Sequence, residues 1–181
     1  DDILDISLLD QERERIASNL NNRGYFDFSV NNISYNVDTL SNSLHADVQM
    51  VVRPMLAGYS ERGVPQWSDN AIYRIRSINV YPSYDPMLRS TNGFKSDATI
   101  DTTSYRGLNI IRDLNATPYL RNAVLRRTIP IYPNYIYNAE QIDHTYNELM
   151  SIGFFRNAKI SFRREPSDST YVTYLNKSGD S

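Results

Sequence analysis

Residues 142–157, IDHTYNELMSIGFFRN, decide the fold of this chain because their pattern occurs a second time near its beginning. The earlier copy is residues 13–28, RERIASNLNNRGYFDF, at an offset of 129. A leucine, a glycine and an aromatic pair coincide in this overlay: Leu20 with Leu149, Gly24 with Gly153, and Tyr25-Phe26 with Phe154-Phe155. Self-similarity at a fixed spacing is typical of chains built from repeated structural units. The sequence therefore predicts two copies of one small module.

Each copy predicts a helix that ends at its glycine. In the second copy, Asn138 is a candidate N-cap with Gln at the third helical position. Apolar residues then recur on one helical face, at Ile142, Tyr146 and Leu149. In the first copy, Ser7 is the candidate cap, and the predicted buried stripe is Leu9, Ile16 and Leu20. A glycine can adopt the left-handed conformation that ends a helix, which suits Gly24 and Gly153.

Two strands are predicted after each helix. Ile33, Tyr35 and Val37 alternate with polar residues, and the stretch from Leu44 to Val52 alternates over nine residues. The second stretch is the more apolar, which favours a central strand. In the second copy, the predicted strands are residues 158–163 and 170–175, with a turn at 166–169.

The chain between the copies predicts further elements. Residues 53–70 contain Pro54, Gly58, Gly63 and Pro65, a composition typical of a linker. Residues 73–80 predict a strand, and the polar residues 83–104 an inserted loop. Residues 120–129 predict a helix with Leu120, Val124 and Leu125 on one face. The first copy shows only its later helix and two strands, so we expect its opening strand and helix upstream of Asp1.

This order, with a Gly-aromatic-aromatic motif after the second helix, resembles the POTRA domain. The matching motifs are Arg23-Gly24-Tyr25-Phe26 and Ile152-Gly153-Phe154-Phe155; Tyr73–Ile78 is similar to the opening strand and Leu120–Tyr137 to the first helix and its turn, although Asn134 stands where the family often has Gly. The segment Tyr105–Ile111 lies outside a minimal POTRA domain and looks like an extension of TamA-like relatives.

The resemblance implies an α+β fold of two POTRA-like modules, each β-α-α-β-β, with a small three-stranded mixed sheet and two helices on one face. The expected domains are residues 1–57, a partial module; residues 58–70, a linker; and residues 71–181, a module carrying the inserted loop 83–104. The chain resembles the periplasmic arm of a BamA/TamA-type outer-membrane protein assembly factor.

This resemblance implies a non-enzymatic, polypeptide-binding arm in the periplasm, attached to the outer membrane through a C-terminal β-barrel outside this sequence. The implied partners are unfolded outer-membrane β-barrel proteins, accessory periplasmic or lipoprotein subunits, and that barrel. Two alternatives stay open: a structural spacer that docks partner lipoproteins or a periplasm-spanning protein, and the POTRA domains of a two-partner secretion transporter.

Composition narrows the function classes. The chain has no cysteine, which excludes disulfides and thiolate metal sites. Residues 1–70 carry a net charge of −6 and residues 71–181 of +4, without the dense basic stripe of a nucleic-acid-binding protein. His45 and His144 lack ligand-spaced partners, and Asp97, Asp101 and Asp113 lack the spacing of a calcium loop. We therefore expect no catalytic residue, metal or cofactor.

The candidate binding sites are sheet edges, because an edge strand presents unpaired backbone groups to another chain. In the POTRA fold that the sequence resembles, the earlier strand of each hairpin lies at the edge. We expect client pairing along residues 30–38 and 157–163, with these edge residues as the candidate site: Asn32, Ser34, Asn36, Lys159, Ser161 and Arg163.

Overall fold

A computed structural model of the chain describes residues 5–39, 45–85, 87–88, 93–117, 119–165 and 170–176. The chain divides into two compact units, residues 1–72 and 73–181. The helices are α1 (Ile6–Asn21), α2 (Asn122–Thr128) and α3 (Ala139–Ser151). The strands are β1 (Ile33–Thr39), β2 (Ala46–Val52), β3 (Met55–Tyr59), β4 (Pro65–Ser68), β5 (Arg74–Tyr81), β6 (Ile100–Tyr105), β7 (Leu108–Asp113), β8 (Lys159–Glu165) and β9 (Thr170–Asn176).

The N-cap of helix α1 lies two residues before the predicted cap, Ser7. The Asp5 carboxylate accepts hydrogen bonds from the backbone N–H of Ser7 at 2.8 Å and from its hydroxyl at 2.7 Å. Ser7 was the wrong choice because Asp5 is the N-cap, and a carboxylate also favours the positive end of the helix. At α3 the predicted cap is confirmed, since the Asn138 side chain accepts the Gln141 N–H at 2.8 Å.

The core of the first unit joins the end of α1 to the start of β1. Its buried side chains are Ala17, Phe28 and Ile33, with Ile16, Leu20, Tyr25 and Val30 partly buried against them. Within the described residues, this small core joins α1, the connection that follows it and the first residue of β1.

Strand β2 of the β1–β2 hairpin exposes apolar side chains along its length. The β1–β2 register pairs Tyr35 with Met50 and Val37 with Val48, so these side chains share one side of the sheet. Val48, Met50 and Val52 remain 40%, 47% and 49% exposed. Among the described strands, β1 is the partner of β2. Since the opening strand of this module is expected upstream of Asp1, a central position for β2 stays a prediction. Leu44, its predicted first residue, lies outside the described residues.

The segment predicted as a linker is largely a second hairpin. Strands β3 and β4 pair antiparallel, with a register shift between Leu56 and Gly58. The Ser60 N–H donates to the Val64 carbonyl oxygen at 2.8 Å, so the next pair along, Tyr59 with Pro65, is not hydrogen-bonded. Pro65 is tolerated there because no backbone N–H is required of it.

The second unit contains one five-stranded mixed sheet in the order β6-β7-β5-β9-β8. Strand β5 runs parallel to both β7 and β9, and the outer pairs are antiparallel. With α2 and α3 between β7 and β8, the predicted α+β class is confirmed. The expectation of three strands was wrong because residues 100–113 add the β6–β7 hairpin. The predicted loop 83–104 therefore ends at residue 99.

The turn of the β6–β7 hairpin is fixed against the rest of the unit. Arg106 and Gly107 have φ of 48° and 84°, as in a two-residue hairpin turn of type I′. A Cβ at Gly107 would lie 3.0 Å from Pro133 Cδ. The Arg106 carbonyl oxygen accepts a hydrogen bond from the Arg126 guanidinium at 3.3 Å. The hairpin is thus an integral part of the unit.

One face of the sheet is buried, since Val80 and Ile110 are paired neighbours and both are at most 2% exposed. On the opposite face the Asn109 amide donates to the Asn79 side-chain oxygen at 3.1 Å. Helices α2 and α3 and their connection supply most of the other buried apolar side chains, so they cover the apolar face: Leu125, Ile129, Ile131, Tyr137, Ile142 and Leu149.

We predict that Tyr137 makes the stability of the second unit sensitive to alkaline pH. Burial, with a contribution from the Asp143 charge, raises the pKa of Tyr137 from 10.0 to about 12. Its contribution to stability is complete below pH 10 and is lost as the pH rises toward 12, because only the unfolded chain releases the proton there. Urea unfolding of Tyr137→Phe should show a shallower loss of stability over that range. Tyr135→Phe, at a position 57% exposed, should match the unaltered chain; equal slopes for all three would contradict the prediction.

Candidate strand-binding edges

The pairing of β1 with β2 determines which backbone groups of β1 are occupied. The Arg53 N–H donates to the Asn32 carbonyl oxygen at 2.7 Å, and this bond continues the β1–β2 register by one pair. Hydrogen-bonded and non-hydrogen-bonded pairs alternate along an antiparallel ladder. Ser34 and Asn36 therefore direct their backbone N–H and C=O groups toward β2, where those groups are already used.

The open backbone groups of β1 belong to the intervening residues. By the same alternation, Tyr35 and Val37 direct their N–H and C=O groups away from β2. Among the described strands, none pairs with that side of β1. The Ile33 N–H is occupied, because it donates to the Val30 carbonyl oxygen. The available edge is thus short and centred on Tyr35 and Val37.

The structure assigns different positions to the three site residues predicted in the first unit. Asn32 is not in a strand: it ends a 3-10 turn, Val30–Asn32, and its side-chain oxygen accepts the Ser29 N–H at 2.9 Å. Its backbone is also paired, so it offers nothing to a client strand. Ser34 and Asn36 do lie on β1. The Ser34 hydroxyl oxygen is buried and has no hydrogen-bond partner within the described part of the chain.

Alternation alone could not distinguish these positions. It identifies which side chains share a face, whereas the direction of the backbone groups depends on the phase of pairing with β2. That phase is set by the Asn32–Arg53 bond. The Arg13 side chain donates to the Val30 carbonyl oxygen at 2.9 Å, which ties α1 to the 3-10 turn before β1.

Strand β8 lies at an edge of the five-stranded sheet, with β9 on its inner side. Lys159 and Arg163 are exposed and Ser161 is partly buried. The alternate residue Phe162 faces the core, where its ring meets Tyr137 edge-on at 5.5 Å. All three predicted site residues therefore lie on an edge strand, on the face away from the core. Residues 157 and 158, included in the prediction, precede the strand.

The Gly-aromatic-aromatic motifs lie just past α1 and α3. Gly24 and Gly153 have φ of 101° and 68°, both left-handed. Tyr25 packs on the core of the first unit, and Phe26 follows it in the sequence. Phe154 and Phe155 meet edge-on with ring centroids 5.0 Å apart. These six residues lie in the connections from α1 to β1 and from α3 to β8.

A cavity of about 860 Å³ lies where the inserted segment approaches Phe154. Its walls mix aromatic rings with charges of both signs, including Tyr84, Phe94, Lys95, Asp97 and Arg156. Tyr84 also packs directly on Gly93, and its ring meets Phe94 edge-on. The sequence predicted a loop here but not that the loop folds back over the motif.

The described ranges contain no metal-binding arrangement of titratable side chains. No group of three or more His, Asp or Glu side chains is close enough to hold a metal ion within them. His45 and His144 are both exposed. Among the helices described, none is long and apolar enough to cross a bilayer.

No protein-family model and no curated protein sequence matches this chain. The chain is similar to a structure of POTRA1–3 of the periplasmic domain of Omp85 from Anabaena, at 14% identity and a TM-score of 0.42, over 96% of this chain and 51% of that one. It thus spans about half of that structure. It is also similar to Haemophilus influenzae BamA POTRA3-5, at 11% identity and a TM-score of 0.31, over 97% of this chain and 82% of that one.

These likenesses concern the fold. The POTRA-type fold predicted from the sequence is confirmed for the second unit by its own elements, since β5, α2, α3, β8 and β9 follow the order strand, helix, helix, strand, strand.

We predict that proline distinguishes the two sets of backbone groups on β1. Asn36→Pro removes an N–H that bonds to β2, whereas Val37→Pro removes one that faces outward. Both side chains are exposed, so packing changes little. Urea unfolding should show Asn36→Pro destabilising the first unit by at least about 1 kcal/mol more than Val37→Pro. The opposite ranking would show that the phase of the ladder is reversed.

Proposed function

We propose that this chain is a periplasmic polypeptide-binding arm that helps fold and insert β-barrel proteins into the outer membrane. It binds an unfolded client by adding the client's strand to an exposed sheet edge. The observation that carries the proposal is the side of β1 that no described strand pairs with, where Tyr35 and Val37 direct backbone groups outward. Main-chain bonding of this kind depends little on side chains, which suits a binder of many sequences.

The edge of the second unit supports the same role. Strand β8 offers a run of seven residues at the end of the sheet, and its exposed Lys159 and Arg163 stand on the face away from the core. A client strand added there would extend an existing five-stranded sheet. The rigid core behind β8, including the Tyr137–Phe162 contact, holds that edge in an extended conformation before the client arrives.

Both similar structures contain POTRA domains, and the one from Anabaena belongs to a periplasmic domain, which is consistent with this proposal. In the proposed setting, a C-terminal β-barrel attaches the arm to the outer membrane. The proposed domains are the partial module of residues 1–57, the connecting residues 58–70 and the module of residues 71–181. Binding, rather than catalysis, is the proposed activity.

We predict that Val37→Pro weakens client binding while the chain stays folded. The test uses a fluorescent peptide with the sequence of one transmembrane strand of an outer-membrane barrel, and measures its anisotropy on titration with the 181-residue chain. Loss of an outward N–H and obstruction by the ring should lower the affinity by about tenfold. Val37→Thr keeps the N–H and the strand preference, and should bind as the unaltered chain does.

For β8, a photo-crosslinking residue at Arg163 should capture the same peptide. One at Glu148, exposed on α3, should not. Circular dichroism must show that each variant is folded. Unchanged binding by Val37→Pro together with equal crosslinking at both positions would exclude strand addition at these edges.

A second candidate function, docking of an accessory subunit, is favoured by the apolar face of β2. Val48, Met50 and Val52 are each at least 40% exposed on one side of the hairpin, an arrangement typical of a contact surface. A folded periplasmic or lipoprotein subunit that covered them would make the arm a spacer as well as a client binder.

We predict that Met50→Glu in the full-length protein removes subunits that copurify with it from outer membranes, because a charge would be buried in the contact. Gln49→Glu adds the same charge on the opposite face of β2 and should leave them bound. Identical subunit bands for both variants on a native gel would exclude docking on this face.

A further inference from the structure

The five-stranded sheet has a second edge, β6, whose residues differ from those of β8. Strand β8 carries Lys159, Arg163 and Arg164, and charged side chains of this kind discourage edge-to-edge pairing. Strand β6 is Ile-Asp-Thr-Thr-Ser-Tyr, with Asp101 as its only charge and no proline. Its register with β7 is continuous from Ile100 to Tyr105, without a bulge. Of the two edges, β6 is the less protected.

The phase of the β6–β7 ladder follows from both of its ends. At one end the Leu114 N–H donates to the Thr99 carbonyl oxygen at 2.9 Å, which makes that pair hydrogen-bonded. At the other end the two-residue type I′ turn requires Tyr105 and Leu108 to be a hydrogen-bonded pair. Hydrogen-bonded pairs recur at every second residue, and Thr99 and Tyr105 are six positions apart. Both ends of the ladder therefore give the same phase.

The outward backbone groups of β6 therefore belong to Ile100, Thr102 and Ser104. All three side chains are exposed, and Ile100 is 42% exposed. Their partners on β7 lie in non-hydrogen-bonded pairs, so their N–H and C=O groups are not used by the hairpin. The edge offers three regularly spaced residues to another strand.

We propose that β6 pairs antiparallel with β6 of a second copy of this chain, about a two-fold axis at Thr102. This register pairs Thr102 with Thr102 and Ile100 with Ser104, so every outward residue is used. An axis at Asp101 would place two carboxylates directly opposite each other, which is destabilising. An axis at Thr103 would leave Ile100 opposite the turn. The Thr102 axis instead places Asp101 opposite Thr103 of the other copy, so that no two carboxylates face each other directly.

Charge complementarity supports the same register. Antiparallel pairing about Thr102 places exposed Arg106 of one copy opposite residue 98 of the other, next to exposed Asp97 and with exposed Lys95 three residues away. The Arg106 guanidinium lies over the Tyr105 ring at 5.5 Å, at the end of the edge strand. Two such opposite-charge approaches, one at each end, favour a second copy over a strand of unrelated sequence. This inference does not depend on the proposed function.

Thr102→Cys tests the axis directly, because the chain contains no other cysteine. In a hydrogen-bonded antiparallel pair the two Cα atoms are about 5.5 Å apart, within disulfide range. Mild oxidation should therefore link two copies. Ser104→Cys is the matched control: in the proposed register the two introduced thiols lie about 13 Å apart, and linkage should be at least about tenfold slower.

Sedimentation of the 181-residue chain over a concentration series gives the second measurement. The unaltered chain and Thr102→Val should form dimers at high concentration. Thr102→Pro, which removes an outward N–H and leaves the β7 ladder intact, should remain monomeric while retaining its circular dichroism spectrum. Equal oxidation rates for the two cysteine variants, or a dimer fraction unaffected by Thr102→Pro, would overturn the proposal. A monomeric chain whose Thr102→Cys variant links to cysteine-bearing barrel-strand peptides would also overturn it, in favour of a client at this edge.

Discussion

The parallel pairing of β5 with β9 is the constraint on which the second unit depends. It joins residues 74–81 to residues 170–176, the first and last described strands of the unit. Parallel neighbours require a crossover connection, and everything between them is that connection: the β6–β7 hairpin, both helices and β8. With β7 already beside β5 on one side, β9 takes the other side. Strand β8 is thereby left at an edge, and β6 is left at the opposite one.

The parts of this fold that the sequence predicts well are those determined by near neighbours. Asn138 caps α3 because its side chain reaches an N–H three residues away. Gly153 takes a left-handed conformation because the chain must leave the helix there. The alternation in residues 31–38 predicts a strand, and the hairpin partners follow within a few residues. Each of these features needs only local geometry, so a pattern of residue types is sufficient evidence for it.

The parts that the sequence does not predict depend on distant partners. The second neighbour that the apolar residues of β2 indicate is expected upstream of Asp1, and with one neighbour among the described strands Met50 stays 47% exposed. The prolines and glycines of residues 53–70 indicate a linker, but the segment forms the β3–β4 hairpin, in which Pro65 stands in a pair without backbone hydrogen bonds. The polar residues of β6 indicate a loop because an edge strand buries little. In the candidate site, the backbone N–H and C=O groups of Tyr35 face outward because of which β1–β2 pairs are hydrogen-bonded. No residue type determines that alternation.

The long span between β5 and β9 also governs the order in which the units acquire structure. In the first unit, α1, β1 and β2 follow one another closely, so its contacts can form as soon as that stretch of chain is available. In the second unit, β5 must wait for a strand roughly 90 residues later, and closing a loop of that length is entropically costly and slow. Until β9 pairs with β5, the backbone groups on one side of β5 have no strand partner and the apolar face around Ile78 is incompletely enclosed. A chain that becomes available from its N-terminus would thus form the contacts of α1, β1 and β2 early and keep its second unit vulnerable to aggregation and proteolysis until the last strand was available.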